Sequence, residues 1–161
     1  MTSALDYYIG ASVFMDASKS MNIIGQAGLK QVRDCEKGLQ ILSRMYIPGI
    51  VMQAFAAELL FKAIIVNEGK QIRKTHKLNK LFAMLSSSER KIISSNIISD
   101  IRNNKNYYGY GESELNRDID KIANTFEDWR YFFEKNDVSV DEGFLDILVV
   151  VLYDRCKILL E

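Results

Sequence analysis

The stretch from Pro48 to Leu81 constrains this chain more than any other. Its first part, PGIVMQAFAAELLFKAIIVNEG, is nearly all apolar but carries one carboxylate, Glu58, and one ammonium, Lys62, four residues apart. Four residues is about one helical turn, so the two side chains stand on the same side of a helix. A helix this apolar must be buried, and a buried charge survives only when it is paired and hydrogen-bonded. Residues 47–66 are long enough to span a bilayer, but Gln53, Glu58 and Lys62 fall near their centre, where charge is costly. The expectation is a core helix of a soluble protein with no membrane partner.

Helical spacing recurs along the rest of the chain. Residues 3–21 read as a moderately amphipathic, peripheral helix, after which Gly25 and Gly28 interrupt the pattern. Val32, Cys35, Leu39, Leu42 and Tyr46 predict a second helix, and Pro48 suits the first turn of a third. Gly69 is the expected C-cap of that third helix, and 69–75 reads as a basic loop. Thr75 is placed to cap a short helix with Leu78, Leu81, Phe82 and Leu85 inward, and Ser86–Ser88 to cap another carrying Ile92, Ile93, Ile97 and Ile101. NNKNYYGYG, 103–111, is a loop. One long helix is expected from Ser113 to Phe133, and a last one from about Asp141 through Leu159. With one proline and nine glycines a β-sandwich is disfavoured. The prediction is a single all-α domain over 1–161, an antiparallel bundle of about five to seven helices.

Composition narrows the function classes. Cys35 and Cys156 lack metal-ligand spacing, and no phosphate loop or nucleophile elbow is present, so no metal and no cofactor is expected. The lack of a basic-then-apolar leader predicts a reducing, cytoplasmic setting. Zero net charge conceals an asymmetry: residues 1–110 hold 15 Lys/Arg against 8 Asp/Glu, and residues 111–161 hold 6 against 13. Such a chain can fold one half on the other, associate head to tail, or offer a basic surface to phosphate.

Four features stand together: FAAELLFKA at 55–63, THKLNKLF at 75–82, WRYFFE at 129–134, and an all-α frame of this length. Over roughly residues 40–160 the chain resembles the HEPN superfamily, the small helical domains of prokaryotic defence, toxin–antitoxin and RNA-processing systems. Residues 1–28 fall outside the resemblance, as an N-terminal helical extension. The resemblance implies a HEPN-like bundle, a homodimer, a protein partner encoded nearby, and RNA as the ligand. Many such domains are metal-independent endoribonucleases with an Arg-x(4–6)-His motif, arginine stabilising phosphate charge and histidine moving protons. Here positions 135–137 after Arg130 are Lys, Asn and Asp, so that histidine is absent, and Arg73 precedes His76 by only three residues. The alternative is a non-catalytic interaction or regulatory module, antitoxin-like.

The candidate residues follow. His76, the only imidazole, and Arg130 are the candidate catalytic pair. Glu58, Lys62, Arg130, Tyr131 and Glu134 are the candidate polar network, with Arg130 the natural partner of Glu58. Lys70, Arg73, Lys74, Lys77 and Lys80 place five cations in eleven residues without an acid. With Arg102, Lys105, Tyr107 and Tyr108 they could hold RNA by charge and base stacking. Solvated surface charge explains the same lysines, and a register-fixing ion pair explains Glu58 and Lys62.

Overall fold

The structure is a computed structural model; it describes residues 2–161 except 73, 105–106, 132–133 and 135–138, and the side chains of 39, 42 and 43 are likewise outside the description. Among the described residues the chain forms seven helices and no strand, an all-α bundle: α1 (Ala4–Gln31), α2 (Cys35–Asn67), α3 (Leu78–Met84), α4 (Ser87–Asn104), α5 (Glu112–Lys121), α6 (Thr125–Arg130) and α7 (Glu142–Leu160).

The two longest helices form the frame. α1 starts at a reciprocal cap, in which Ser3 Oγ accepts from the Asp6 amide and Asp6 accepts from the Ser3 amide. It then runs straight through Gly25 and Gly28, where the sequence predicts a break. These glycines serve packing instead: a Cβ at Gly25 would lie 3.3 Å from Met45 Cβ, and one at Gly28 would lie 3.2 Å from Ile41 Cγ2. Bare backbone at both levels lets α1 approach α2 without displacing Met45 or Ile41. α2 likewise runs through Pro48 rather than starting there. Proline removes one amide donor, and α1 grips α2 beside it, with buried Ser18 Oγ donating to the Gly49 carbonyl at 3.0 Å. Residues 1–28 are therefore more than an appendage, because Tyr8, Ala11 and Met15 lie in the main core.

α2 passes through the middle of that core, with Ala54, Ala56, Ala57, Leu60, Phe61, Ala63, Ile64 and Ile65 buried. Its Arg44–Asn67 segment is long and apolar enough to cross a membrane, and 67% of its apolar window is buried inside the protein, as in a core helix. Gly69, at φ 73°, ends the helix as its position predicts. α7 packs on α2, with Phe144, Leu145, Leu148 and Leu152 in the core, and α4 packs on α7, adding Ile93, Ile97 and Ile101 to the same core. The long helix expected over 113–133 is two helices. Between them Ile122–Asn124 turns, and the Ala123 carbonyl freed there accepts from the Leu78 amide at 3.0 Å. That one bond fixes the start of α3, and hence His76, against α6.

Candidate functional site

The carboxylate that the sequence singles out is wholly buried, and it holds two partners. Lys62 Nζ lies 2.5 Å from Glu58 Oε1, the i, i+4 pair expected from the spacing. The second partner is His76, whose Nδ1 is 3.0 Å from both Glu58 oxygens. Because an ionised carboxylate only accepts, the proton must sit on Nδ1. The neutral ring then has a bare lone pair on Nε2. The His76 side chain is 51% exposed, while that of Glu58 is 0%. The imidazole is therefore held from inside and open to solvent outside.

Phe126 forms the neighbouring wall. Its ring centroid is 5.5 Å from that of His76 and 5.0 Å from that of Phe55, on which it stacks. The Arg130 guanidinium lies 5.8 Å from the same Phe126 centroid and 5.3 Å from that of Tyr131. Phe126 thus has both His76 and Arg130 for neighbours. The sequence expects Arg130 on Glu58. Among the described residues no ion pair joins them, and His76 occupies the place given to arginine. Tyr131 and Glu134 are exposed and are not bonded to Glu58; the Glu134 amide donates to the Tyr131 carbonyl.

The basic loop divides into anchored and free cations. Lys70 donates to Glu68 at 2.9 Å and to the Met84 carbonyl at 2.8 Å, so it braces α3 against the end of α2. Glu68 also accepts from the Ser86 amide. Burial pushes the Glu68 carboxyl up, but Ser86 and the Lys70 ammonium together outweigh it and hold the group below the ordinary glutamate range. Lys74, Lys77 and Lys80 are exposed. Lys74 and Lys80 join Lys70, Gln71, Thr75, Ala83 and Met84 around a cleft of about 590 Å³ that carries no acid in its lining. Thr75 Oγ1 accepts from the Lys77 amide and shapes the turn that presents His76. Arg73 and Lys105 lie outside the described residues.

The tyrosine loop is a separate feature. Arg102 donates through Nε to the Tyr110 carbonyl at 2.7 Å, so it pins the loop. Tyr107 and Tyr108 are exposed at the surface. Among the described residues no hydrogen bond, ion pair or ring contact links this loop to His76.

The sequence reading missed the His76–Glu58 contact and the role of Phe126. One signal was present: a lone carboxylate in an apolar helix, followed after a glycine stop by the chain's only imidazole. No protein-family model, curated protein or solved structure matches the chain.

Proposed function

We propose that this chain is a HEPN-like domain that binds and processes RNA without a metal, in a prokaryotic defence or toxin–antitoxin setting in the cytoplasm. The observation that carries the reading is the buried Glu58 carboxylate bonded to Nδ1 of a half-exposed His76. An imidazole held in one tautomer, with its other nitrogen outward, is a general base at neutral pH. Nε2 of His76 takes the proton of a ribose 2′-hydroxyl as that oxygen bonds to phosphorus. The bond to the 5′-oxygen breaks, giving a 2′,3′-cyclic phosphate, and the proton returns to the departing 5′-oxygen through solvent. Arg130 and the free lysines 74, 77 and 80 supply positive charge for the phosphates. The division of labour between arginine and histidine is the one the family resemblance implies, reached here without the Arg-x(4–6)-His spacing.

The test is incubation of the purified protein with tRNA and total RNA at low salt in chelator, beside a His76→Gln variant. The expected result is salt-sensitive retention of RNA by both proteins. Cleavage by the wild type should fall about a hundred- to ten-thousand-fold in the variant. RNA with 2′-deoxy substitution should be bound and left intact. Absence of both cleavage and salt-sensitive retention overturns the proposal; retention with no cleavage by the wild type removes the catalytic half and leaves a binding domain.

A further inference from the structure

The cleft beside the basic loop is built for more than a phosphate. Its volume of about 590 Å³ falls in the range of sites that hold a whole small ligand, whereas a single phosphate fills only a fraction of it. Two of its lining residues, Lys74 and Thr75, directly precede His76, so a nucleotide seated there lies close to the one offered to the imidazole. Lys70, Lys74 and Lys80 supply the charge that a strand of phosphates requires. Gln71 and Met84 line the same cleft and bring no charge to a phosphate. A carboxamide and a polarizable apolar side chain are instead what the edge and the face of a base take.

The polarity of the lining decides which base edge fits. Lys74, Lys80 and Gln71 make no side-chain hydrogen bond or ion pair among the described residues, so their donors are free. Lys70 gives two of its three N–H groups to Glu68 and the Met84 carbonyl and keeps one. Thr75 Oγ1 already accepts from the Lys77 amide, and its O–H is left to donate. Among the lining side chains the Gln71 oxygen is the oxygen acceptor left free, and none of them is a carboxylate. An unpaired guanine presents O6 and N7 together, two acceptors on one edge, and lysine is a usual partner for that pair. Cytosine presents an amino donor and asks for a carboxylate. Adenine sets an amino donor beside N7, which the lone carboxamide would have to serve. Donors outnumber acceptors in this cleft, so guanine fits it best.

On the reading of this chain as an RNA-binding domain, we infer that the basic cleft seats an unpaired guanine, selected by Lys74, Lys80 and the free N–H of Lys70. Fluorescence anisotropy on the full chain at low salt tests this with short single-stranded oligoribonucleotides. The reference is an all-cytidine strand, and its variants carry one central guanine, adenine or 7-deazaguanine. The guanine strand should bind about ten- to hundred-fold more tightly than the reference, as a two-point base contact provides. The 7-deazaguanine strand, which lacks N7, should lose most of that difference. Lys80→Gln should shrink the ratio between the guanine and reference strands. Lys77→Gln, at an exposed lysine outside the cleft lining, should weaken every strand alike and leave the ratio unchanged. Equal binding of the guanine and reference strands would overturn the guanine site while RNA binding stands, and so would tightest binding of the adenine strand. A ratio that survives Lys80→Gln would overturn it too. Salt-sensitive binding of no strand at all would remove the RNA reading and the guanine site together.

Discussion

Glu58 and Glu89 are both carboxylates buried in helices, and the two are neutralised in different ways. Glu89 on α4 receives Arg155 of α7 through a two-point grip, Nε to Oε2 at 2.7 Å and Nη2 to Oε1 at 2.6 Å. Both side chains are mostly buried, at 12% and 16% exposed, and the pair closes on itself. The carboxylate raises the arginine pKa further, against the opposing effect of burial. Such a pair clamps two helices and offers nothing outward. Glu58 is more deeply buried, but its two partners reach it from different directions, and one of them is half in solvent. Lys62 stays on Glu58 Oε1 whatever His76 contacts on its exposed side. A closed pair holds helices together, whereas an open one holds a reactive group in place.

That contrast makes a double dissociation the sharpest way to break it. Arg155→Ala leaves Glu89 buried without a cation, and the unfolding free energy should fall by about 3–5 kcal/mol. Denaturant titration reads this, and RNA retention by the folded fraction should be unchanged. His76→Gln removes a half-exposed partner and leaves Lys62 on Glu58, so the same titration should show a loss of about 1 kcal/mol or less. Cleavage, by contrast, should collapse in that variant. If Arg155→Ala were harmless, or His76→Gln as destabilising as Arg155→Ala, the distinction would fail.

The smallest effect concerns the brace beside the basic loop. The Glu68 pKa is lowered in the folded protein, so its contribution to stability is present above the ordinary value of 4.5 and is lost as pH falls through the lower folded value. Glu68→Gln should therefore cost about 1 kcal/mol at neutral pH. The gap from wild type should narrow as the pH is taken below 4.5, measured as unfolding midpoints across an acid series. A gap independent of pH would mean that the carboxylate charge contributes nothing there.

Much of the architecture was legible because helical periodicity is local. The apolar rows of α2, α4 and α7, the stop at Gly69 and the serine cap before α4 all depend on residues within a few positions of one another. The misread boundaries were the ones decided by neighbours. Gly25, Gly28 and Pro48 are helix breakers in isolation, yet here bare backbone at the two glycines lets α1 and α2 approach, and Ser18 bonds the Gly49 carbonyl beside Pro48. The single helix expected over 113–133 gave way at Ile122–Asn124, where the Ala123 carbonyl turns to the Leu78 amide. For the site, Glu58 and Lys62 were readable as a pair from their spacing alone, and His76 as the one candidate imidazole.

What the sequence determined by itself was that Glu58 must be buried and must have partners, since an apolar helix cannot leave a carboxylate unpaired. Which partner it takes was decided by tertiary structure. Arg130 has the better chemistry for a carboxylate, but its guanidinium lies near the Phe126 and Tyr131 rings. His76 comes to Glu58 instead because the hydrogen bond from Leu78 to Ala123, between residues 45 positions apart, returns the chain at that level of α2. No local pattern encodes a contact made across that separation; only the packing of α3 against the turn before α6 does.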